Sequence, residues 1–174
     1  PMMQKIVCSN PDVQFEMWGA YANQTSNLGS GGMGDAEHSF IALLSDQENV
    51  VLHGPVSAQE LVDGFARMNG FLICYDIEKD QSSGTNYHKI LEYLATGKVI
   101  VSNSVTTYKD MPLFRMCNSR SSNDEMPLLF TDTVEHIDEW NSEERCRQRI
   151  EFAAAHTYSK QLEKIDDAVT RLAS

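Results

Sequence analysis

Residues 84–102 read GTNYHKILEYLATGKVIVS, and this stretch decides the fold. From Tyr87 to Ala95, apolar side chains recur at helical spacing, which predicts a helix with an inner stripe of Tyr87, Ile90, Leu91 and Leu94. Gly97 is placed to end that helix, and the apolar run Val99–Ser102 is typical of a strand buried on both faces of a parallel sheet. A helix that leads straight into such a strand predicts an α/β domain.

The same alternation of helix and strand continues towards the start of the chain. Further strands are predicted at Val13–Trp18, Val50–His53 and Leu72–Tyr75. A short helix, His38–Leu44, separates the first two, and Ser57 with Glu60 forms an S-x-x-E capping box before the third. We therefore predict a Rossmann-like three-layer α/β/α domain with a mostly parallel sheet, whose central strands are these three and Val99–Ser102.

The remaining segments are less regular. Residues 22–36 are rich in Asn, Ser and Gly, which predicts a mobile surface loop. Phe114–Cys117 and Leu128–Phe130 are weaker strand candidates, and helical segments introduced by Asp132 and Asp138 run through Phe152. A last helix is predicted over Thr157–Leu172, with an inward stripe of Leu162, Ile165, Val169 and Leu172.

Composition limits the classes of partner and compartment. The net charge of −11 predicts repulsion from nucleic acid, so we expect no nucleic-acid partner. The apolar run Phe71–Tyr75 is far shorter than a membrane span, and no signal peptide is visible at the start. The four cysteines form no C-x-x-C pair and the five histidines show no metal-ligand spacing. We therefore expect a cytoplasmic protein with reduced cysteines and no bound metal.

The loop and helix at residues 84–92 are suited to a nucleotide. Gly84, Thr85 and Asn86 are small or polar, so backbone amides at the predicted helix start could approach a diphosphate. Glu92 lies about 9 Å further along the helix, which is roughly the distance from a diphosphate to the hydroxyls of its ribose. A carboxylate accepts two hydroxyl hydrogen bonds well, and His88 lies one turn before Glu92 on the same face.

Three blocks of the sequence together resemble the donor-binding domain of GT-B glycosyltransferases. They are K-x-x-E-Y-x-A-x-G at residues 89–97, N-V-x-L-x-G-x-V-x-x-x-E-L at residues 49–61, and A-x-H-T-x-x-x-x-L-x-x-I at residues 154–165. The resemblance covers residues 11–172, and the order of the blocks agrees with the family. It implies that residues 1–174 form the single C-terminal, nucleotide-sugar-binding domain of a two-domain enzyme.

The resemblance also implies an activity and a set of binding residues. The enzyme would be hexosyltransferase-like, act in polysaccharide biosynthesis or a similar pathway, and transfer a sugar from a nucleotide diphosphate sugar without a cofactor or metal. Lys89 would reach a phosphate, and the base would lie near Gly54, Val56, Ser57 and Tyr75. The N-terminal acceptor domain and the first strand of this domain would precede Pro1, so this chain alone would be inactive. The whole enzyme could associate peripherally with a membrane.

Departures from the family pattern keep other functions open. Many sugar-retaining members carry a glutamate seven residues before the ribose-binding one, where this chain has Thr85. The stereochemistry of transfer, and the catalytic residues, therefore stay unassigned. The alternatives are a GT-B-fold sugar-nucleotide epimerase and a non-catalytic module that binds nucleotide or serves in assembly.

Overall fold

The computed structural model describes residues 2–20, 34–78 and 89–172. The strands are β1 (Phe15–Trp18), β2 (Val50–Gly54), β3 (Gly70–Ile73), β4 (Val99–Ser102) and β5 (Arg115–Met116). The helices are α1 (Met2–Ser9), α2 (Asp35–Ser45), α3 (Ala58–Arg67), α4 (Lys89–Ala95), α5 (Met126–Glu135), α6 (Ile137–Trp140), α7 (Glu143–Ala155) and α8 (Tyr158–Leu172), with a 3₁₀ turn at Thr106–Tyr108. The predicted loop at residues 22–36 falls largely outside the described residues.

Each pair of neighbouring strands is parallel. β1 pairs with β2 in the register Phe15↔Val50, β3 pairs with β4 in the register Gly70↔Val99, and β4 also pairs with β5. Strands β1 and β2 form one sheet, and β3, β4 and β5 form a second. The predicted α/β class with parallel strands and intervening helices is confirmed, although the strands are divided between two sheets rather than joined in one.

Helices cover the two faces of these sheets as two separate layers. On one face, Ile6 of α1, Leu44 of α2 and Phe130 of α5 share a core with Phe15 and Val101. On the other face, α3, α4 and α7 contribute Phe65, Leu94 and Ala153 to a core built on Phe71 and Ile100. The result is the predicted three-layer order of helices, sheet and helices. Ile90 and Leu94 are fully buried, so the inner stripe predicted for this helix is confirmed where it is described.

A buried arginine on α7, Arg149, connects this helix to three other segments of the chain. Arg149 is 1% exposed, and its guanidinium donates to the carbonyls of Leu113, Gly97 and Trp140 at 2.8–3.0 Å. Burial lowers the pKa of this guanidinium from its ordinary value, because desolvation disfavours the charged form. The three carbonyls satisfy donors that would otherwise be buried without partners. Arg149 thereby ties together the turn before β4, the approach to β5 and the end of α6.

Two sequence predictions about local structure are wrong. Leu128–Phe130 is not a strand but part of α5, which begins beside a proline in its first turn. Its buried residues are Met126, Phe130 and Thr133, so the period is helical, whereas the three-residue apolar run alone did not distinguish helix from strand. The other correction concerns α8. Its stripe of Leu162, Ile165 and Val169 is 49–60% exposed rather than turned inward, and the side chain of Leu172 lies outside the described residues.

Candidate functional site

A cleft of about 800 Å³ separates the two sheets. Its walls include the successive residues of β1 and Gly70–Leu72 of β3. Side chains of α3 and α4, such as Phe65 and Tyr93, line it on one face, and side chains of α5 and α6, such as Val134 and Ile137, line it on the other. We call this cavity the cleft. It passes between β1 and β3 through the whole thickness of the central layer.

The cleft marks the point at which the direction of the chain across the sheets reverses. From β1 the chain moves through α2 to β2, away from the cleft on one side, and from β3 it moves through α4 to β4, away on the other. Because the pairings are parallel, the carboxyl ends of paired strands lie at the same edge of their sheet. In open α/β sheets, ligands bind outside the carboxyl ends of the strands where the strand order reverses.

Five of the residues that line the cleft follow a strand or begin the helix that follows one. Gly19 follows β1, Pro55 and Val56 follow β2, and Lys89 and Glu92 lie in the first turn of α4. We call these five residues the cleft mouth. Lys89 and Glu92 are both exposed, and three of the sequence-predicted binding residues, Val56, Lys89 and Glu92, line the cleft.

The orientation of α4, and hence of Glu92, is set by its neighbour Tyr93. The Tyr93 ring stacks on Phe71 of β3 with centroids 4.3 Å apart, and Phe65 of α3 meets it edge-on at 5.3 Å. Burial is the main cause that raises the pKa of Tyr93 to about 12, with smaller contributions from Tyr75 and Glu92. The phenol is thus neutral at physiological pH and acts as a packing group that holds α4, and with it the preceding residue Glu92, against β3 and α3.

Two other predicted residues from the loop after β2 have structural roles. Gly54 is buried with a φ of 73°, and its carbonyl accepts the amide of Gly19 at 2.9 Å, which aligns the ends of β1 and β2. Ser57 forms the predicted capping box with Glu60: the Ser57 hydroxyl accepts the Glu60 amide, and the Glu60 carboxylate accepts the Ser57 amide. The Ser57 hydroxyl and the Ser57 amide both donate to the Glu60 carboxylate, and these two hydrogen bonds lower the pKa of Glu60. Neither Gly54 nor Ser57 lines the cleft.

The segment after β3 is held by two asparagines that the sequence interpretation did not identify. The Asn103 side chain accepts the Tyr75 amide at 2.7 Å, and both Asn103 and Asn123 donate to the Tyr75 carbonyl. The Asn103 side chain also donates to the side-chain oxygen, Oδ1, of Asn123 at 2.7 Å. Tyr75 itself is 42% exposed and lies outside the cleft wall. The sequence feature that could have identified Asn103 is the run of polar residues at the end of the buried strand β4 and just beyond it, at positions 102–104.

A cluster of Trp18, His53 and Glu16, which the sequence analysis did not identify, lies at the cleft wall next to the cleft mouth. Trp18 stacks on His53 with centroids 5.0 Å apart, and His53 Nε2 lies 3.0 Å from Glu16 Oε2. Trp18 also approaches α3 so closely that only the glycine at position 64 leaves room for its ring. These contacts fix one side of the cleft as an aromatic surface.

The other four predicted binding residues, Gly84, Thr85, Asn86 and His88, lie outside the described residues. The described part of the predicted site is therefore the part predicted to hold the ribose and the base, together with Lys89. Within residues 2–20, 34–78 and 89–172, no group of three or more His, Cys, Asp or Glu side chains is arranged to hold a metal ion.

The cysteines do not provide a nucleophile at the cleft mouth. All four are unpaired, with Cys8 exposed, Cys117 buried, and Cys74 and Cys146 half-buried. Burial raises the pKa of the Cys74 and Cys117 thiols to about 11, so both stay protonated at neutral pH. A protonated, shielded thiol is unreactive.

Comparisons with known proteins do not assign a family. No protein-family model matches the chain, and neither the curated proteins nor the solved structures contain a significant match. In the part of the chain that the structure describes, no helix is both long enough and apolar enough to cross a membrane.

Proposed function

We propose that this chain is the donor-binding domain of a GT-B glycosyltransferase that transfers a sugar from a nucleotide diphosphate sugar to a glycan, lipid or other acceptor. The observation that supports the proposal is the exposed pair Lys89 and Glu92 at the cleft mouth, beside the cleft where the strand order reverses. The proposal also rests on the sequence resemblance in residues 89–97.

The positions of the two charged groups suit two adjacent parts of a nucleoside diphosphate, its phosphates and its ribose. Lys89 is the first residue of α4, and Glu92 lies three residues, or roughly 4.5 Å, further along the helix axis. In the proposed complex the diphosphate lies at Gly84–Asn86 beside Lys89, and the ribose hydroxyls donate to the Glu92 carboxylate. The base lies near Val56, on the neighbouring loop of the cleft mouth.

The catalytic contribution of such a domain is electrostatic. Helix amides and a lysine neutralise the leaving diphosphate, and the ribose contact fixes the position of the sugar relative to an incoming acceptor. An acceptor domain would supply the other wall of the active site. We therefore expect residues 1–174 to bind the donor without transferring its sugar. A cytoplasmic location is part of the proposal and is supported by four unpaired cysteines.

Binding of nucleoside diphosphates, measured by calorimetry with UDP, GDP, ADP and TDP as separate probes, tests the proposal. We expect one of them to bind and Glu92→Gln to weaken its binding by about 5- to 150-fold, because charge-assisted hydrogen bonds to ribose are lost. Glu143→Gln is the matched control, since Glu143 is also an exposed acid in the first turn of a helix but lies away from the cleft. Each substitution removes a similar interaction with its helix dipole, so both should alter stability by less than about 1 kcal/mol.

The result also separates the proposal from its alternatives. If no diphosphate binds, or if the two glutamine variants weaken binding equally, Glu92 is not a ribose ligand and the non-catalytic assembly module becomes the better description. If a diphosphate sugar binds and is converted to an epimer by the whole enzyme, the epimerase alternative replaces the transferase.

A further inference from the structure

The loops that follow β3, β4 and β5 lie at one edge of their sheet, because the three strands are parallel. Two buried asparagines join these loops: Asn103, after β4, and Asn123, after β5, both donate to the carbonyl of Tyr75, after β3. Arg120 Nη1 donates to Thr106 Oγ1 at 2.8 Å and links the loops after β4 and β5 a second time. These five residues form one connected surface, which we call the loop platform.

Arg120 is the cation of the loop platform, and no carboxylate neutralises it. Among the residues that the structure describes, its guanidinium has one polar partner, the neutral hydroxyl of Thr106. Glu125, at the end of the same loop, instead accepts the amide and the side chain of Asn118. The described arginines that do pair with carboxylates are Arg115, Arg145 and Arg147. Arg120 is exposed and therefore keeps N–H donors in the fork geometry that binds a carboxylate through two hydrogen bonds.

A buried hydroxyl without a partner lies two residues before Thr106. Ser104 is only 6% exposed, yet its hydroxyl makes no hydrogen bond to any residue in the described part of the chain, whereas the Ser102 hydroxyl donates to the Asn103 carbonyl at 2.9 Å. In the same part of the chain, the one side-chain atom that is both sealed from solvent and unpaired is Arg145 Nη1, so the Ser104 oxygen still reaches solvent. Because buried hydroxyls are normally paired, Ser104 offers a hydrogen bond to a ligand.

We propose that the loop platform, together with Ser104, is the subsite for the transferred sugar of the donor, and that Arg120 selects a sugar that carries a carboxylate, a hexuronate. This inference rests on the proposed function. Lys89 and Glu92 lie in the first turn of the helix that connects β3 to β4, so the proposed nucleotide site borders the same edge of the sheet. The loops after β4 and β5 lie about 5 and 10 Å further along that edge than β3, one and two strand spacings away.

A hexuronate matches the chemistry of these groups. Its carboxylate pairs with the Arg120 guanidinium, and its hydroxyls and carboxylate exchange hydrogen bonds with Ser104 and Thr106. A neutral hexose supplies hydroxyls but leaves the guanidinium without an anion. The chain carries a net charge of −11, which repels an acidic ligand in general, so a local arginine that no acid neutralises is needed to favour one here.

Calorimetry with matched ligands tests the inference. For each of UDP, GDP, ADP and TDP, three forms are compared: the free diphosphate, its glucose conjugate and its glucuronate conjugate, the last two differing only at C6. For the base that the domain accepts, we expect the glucuronate conjugate to bind about fivefold more tightly than the glucose conjugate, or better. Arg120→Gln should bring that ratio close to one and change binding of the free diphosphate by less than about twofold. Arg147→Gln, on an exposed arginine of α7, is the matched control and should leave the ratio unchanged.

Ser104→Ala distinguishes a ligand contact from a structural role. Because the Ser104 hydroxyl has no described partner, its removal should not lower the melting temperature, but it should weaken binding of the glucuronate conjugate by about two- to fivefold. A fall in melting temperature with unchanged binding would assign Ser104 to the fold and remove it from the subsite, contrary to the inference.

The outcomes also separate this inference from the proposed function. If a diphosphate binds and depends on Glu92, but its glucose and glucuronate conjugates bind equally, the proposed function stands and the hexuronate subsite is overturned. If Arg120→Gln weakens the free diphosphate as much as the glucuronate conjugate, Arg120 contacts the phosphates and the subsite is again overturned. If none of the ligands binds, the proposed function fails and the subsite fails with it.

Discussion

Strands β4 and β1 are both short, apolar and parallel to a neighbour, yet their surroundings differ. All four residues of β4 are buried, β3 and β5 pair with its two edges, and the side chain of Asn141 accepts the Val99 amide at its start. In β1 only Phe15 is fully buried, and its second edge faces the cleft. The difference shows that the tightly packed part of this domain surrounds β4, whereas β1 borders an open cleft.

The largest expected effect of a substitution is at Arg149, which supports β4 from below. Arg149→Ala leaves the carbonyls of Leu113, Gly97 and Trp140 buried without donors and also creates a cavity. We expect the free energy of unfolding to fall by about 3–5 kcal/mol, as measured by urea denaturation. Arg147→Ala on the same helix is the control, because Arg147 is exposed and its ion pairs contribute less than about 1 kcal/mol. Similar losses in the two variants would contradict the role assigned to Arg149.

An intermediate effect is expected where β4 supports the neighbouring segment after β3. Asn103→Ala removes the acceptor for the Tyr75 amide and a donor to the Tyr75 carbonyl, and it removes the donor to the side-chain oxygen of Asn123. We expect a loss of about 1–3 kcal/mol in the free energy of unfolding, together with faster exchange of the Tyr75 amide. Ser119→Ala, in an exposed turn, should change neither quantity appreciably. An unchanged Tyr75 exchange rate in Asn103→Ala would show that the loop is held by other contacts.

The smallest net effect is expected at Gly64, one of a pair of glycines that compares the two regions directly. Gly97→Ala, before β4, forces a side chain onto a φ of 76° and within 3.3 Å of Cys146, so we expect a loss of about 1–3 kcal/mol. Gly64→Ala puts a methyl group 2.8 Å from the Trp18 ring, but that ring borders the cleft and can move into it. Alanine also favours the helix by about 1 kcal/mol. The net change at position 64 should be smaller than at position 97, and the reverse order would mean that the β1 side is the more rigid.

Local patterns in the sequence predicted most of the elements around the candidate site. The capping box at Ser57, the strand Val99–Ser102 and the buried stripe of Ile90 and Leu94 all depend on residues within one or two turns of each other. The segment Leu128–Phe130 was misassigned because three apolar residues carry no period. The α8 stripe was misjudged for another reason: an amphipathic pattern shows that a helix has an apolar face, but not what covers that face.

The sequence by itself determined the alternation of helices and strands from β1 to β4, the parallel class of the sheet, and the position of Glu92 within α4, because these follow from side-chain periods and chain length. Only the tertiary structure decided that the strands divide into two sheets, that Arg149 finds its carbonyl partners on three separate segments, and that Val56 and Glu92 line the same cleft. Those features depend on contacts between residues that are distant in the sequence. The hydrophobic pattern of a strand indicates that the strand will be buried. Which other strand pairs with its edge depends on the connections and helices that bring strands together.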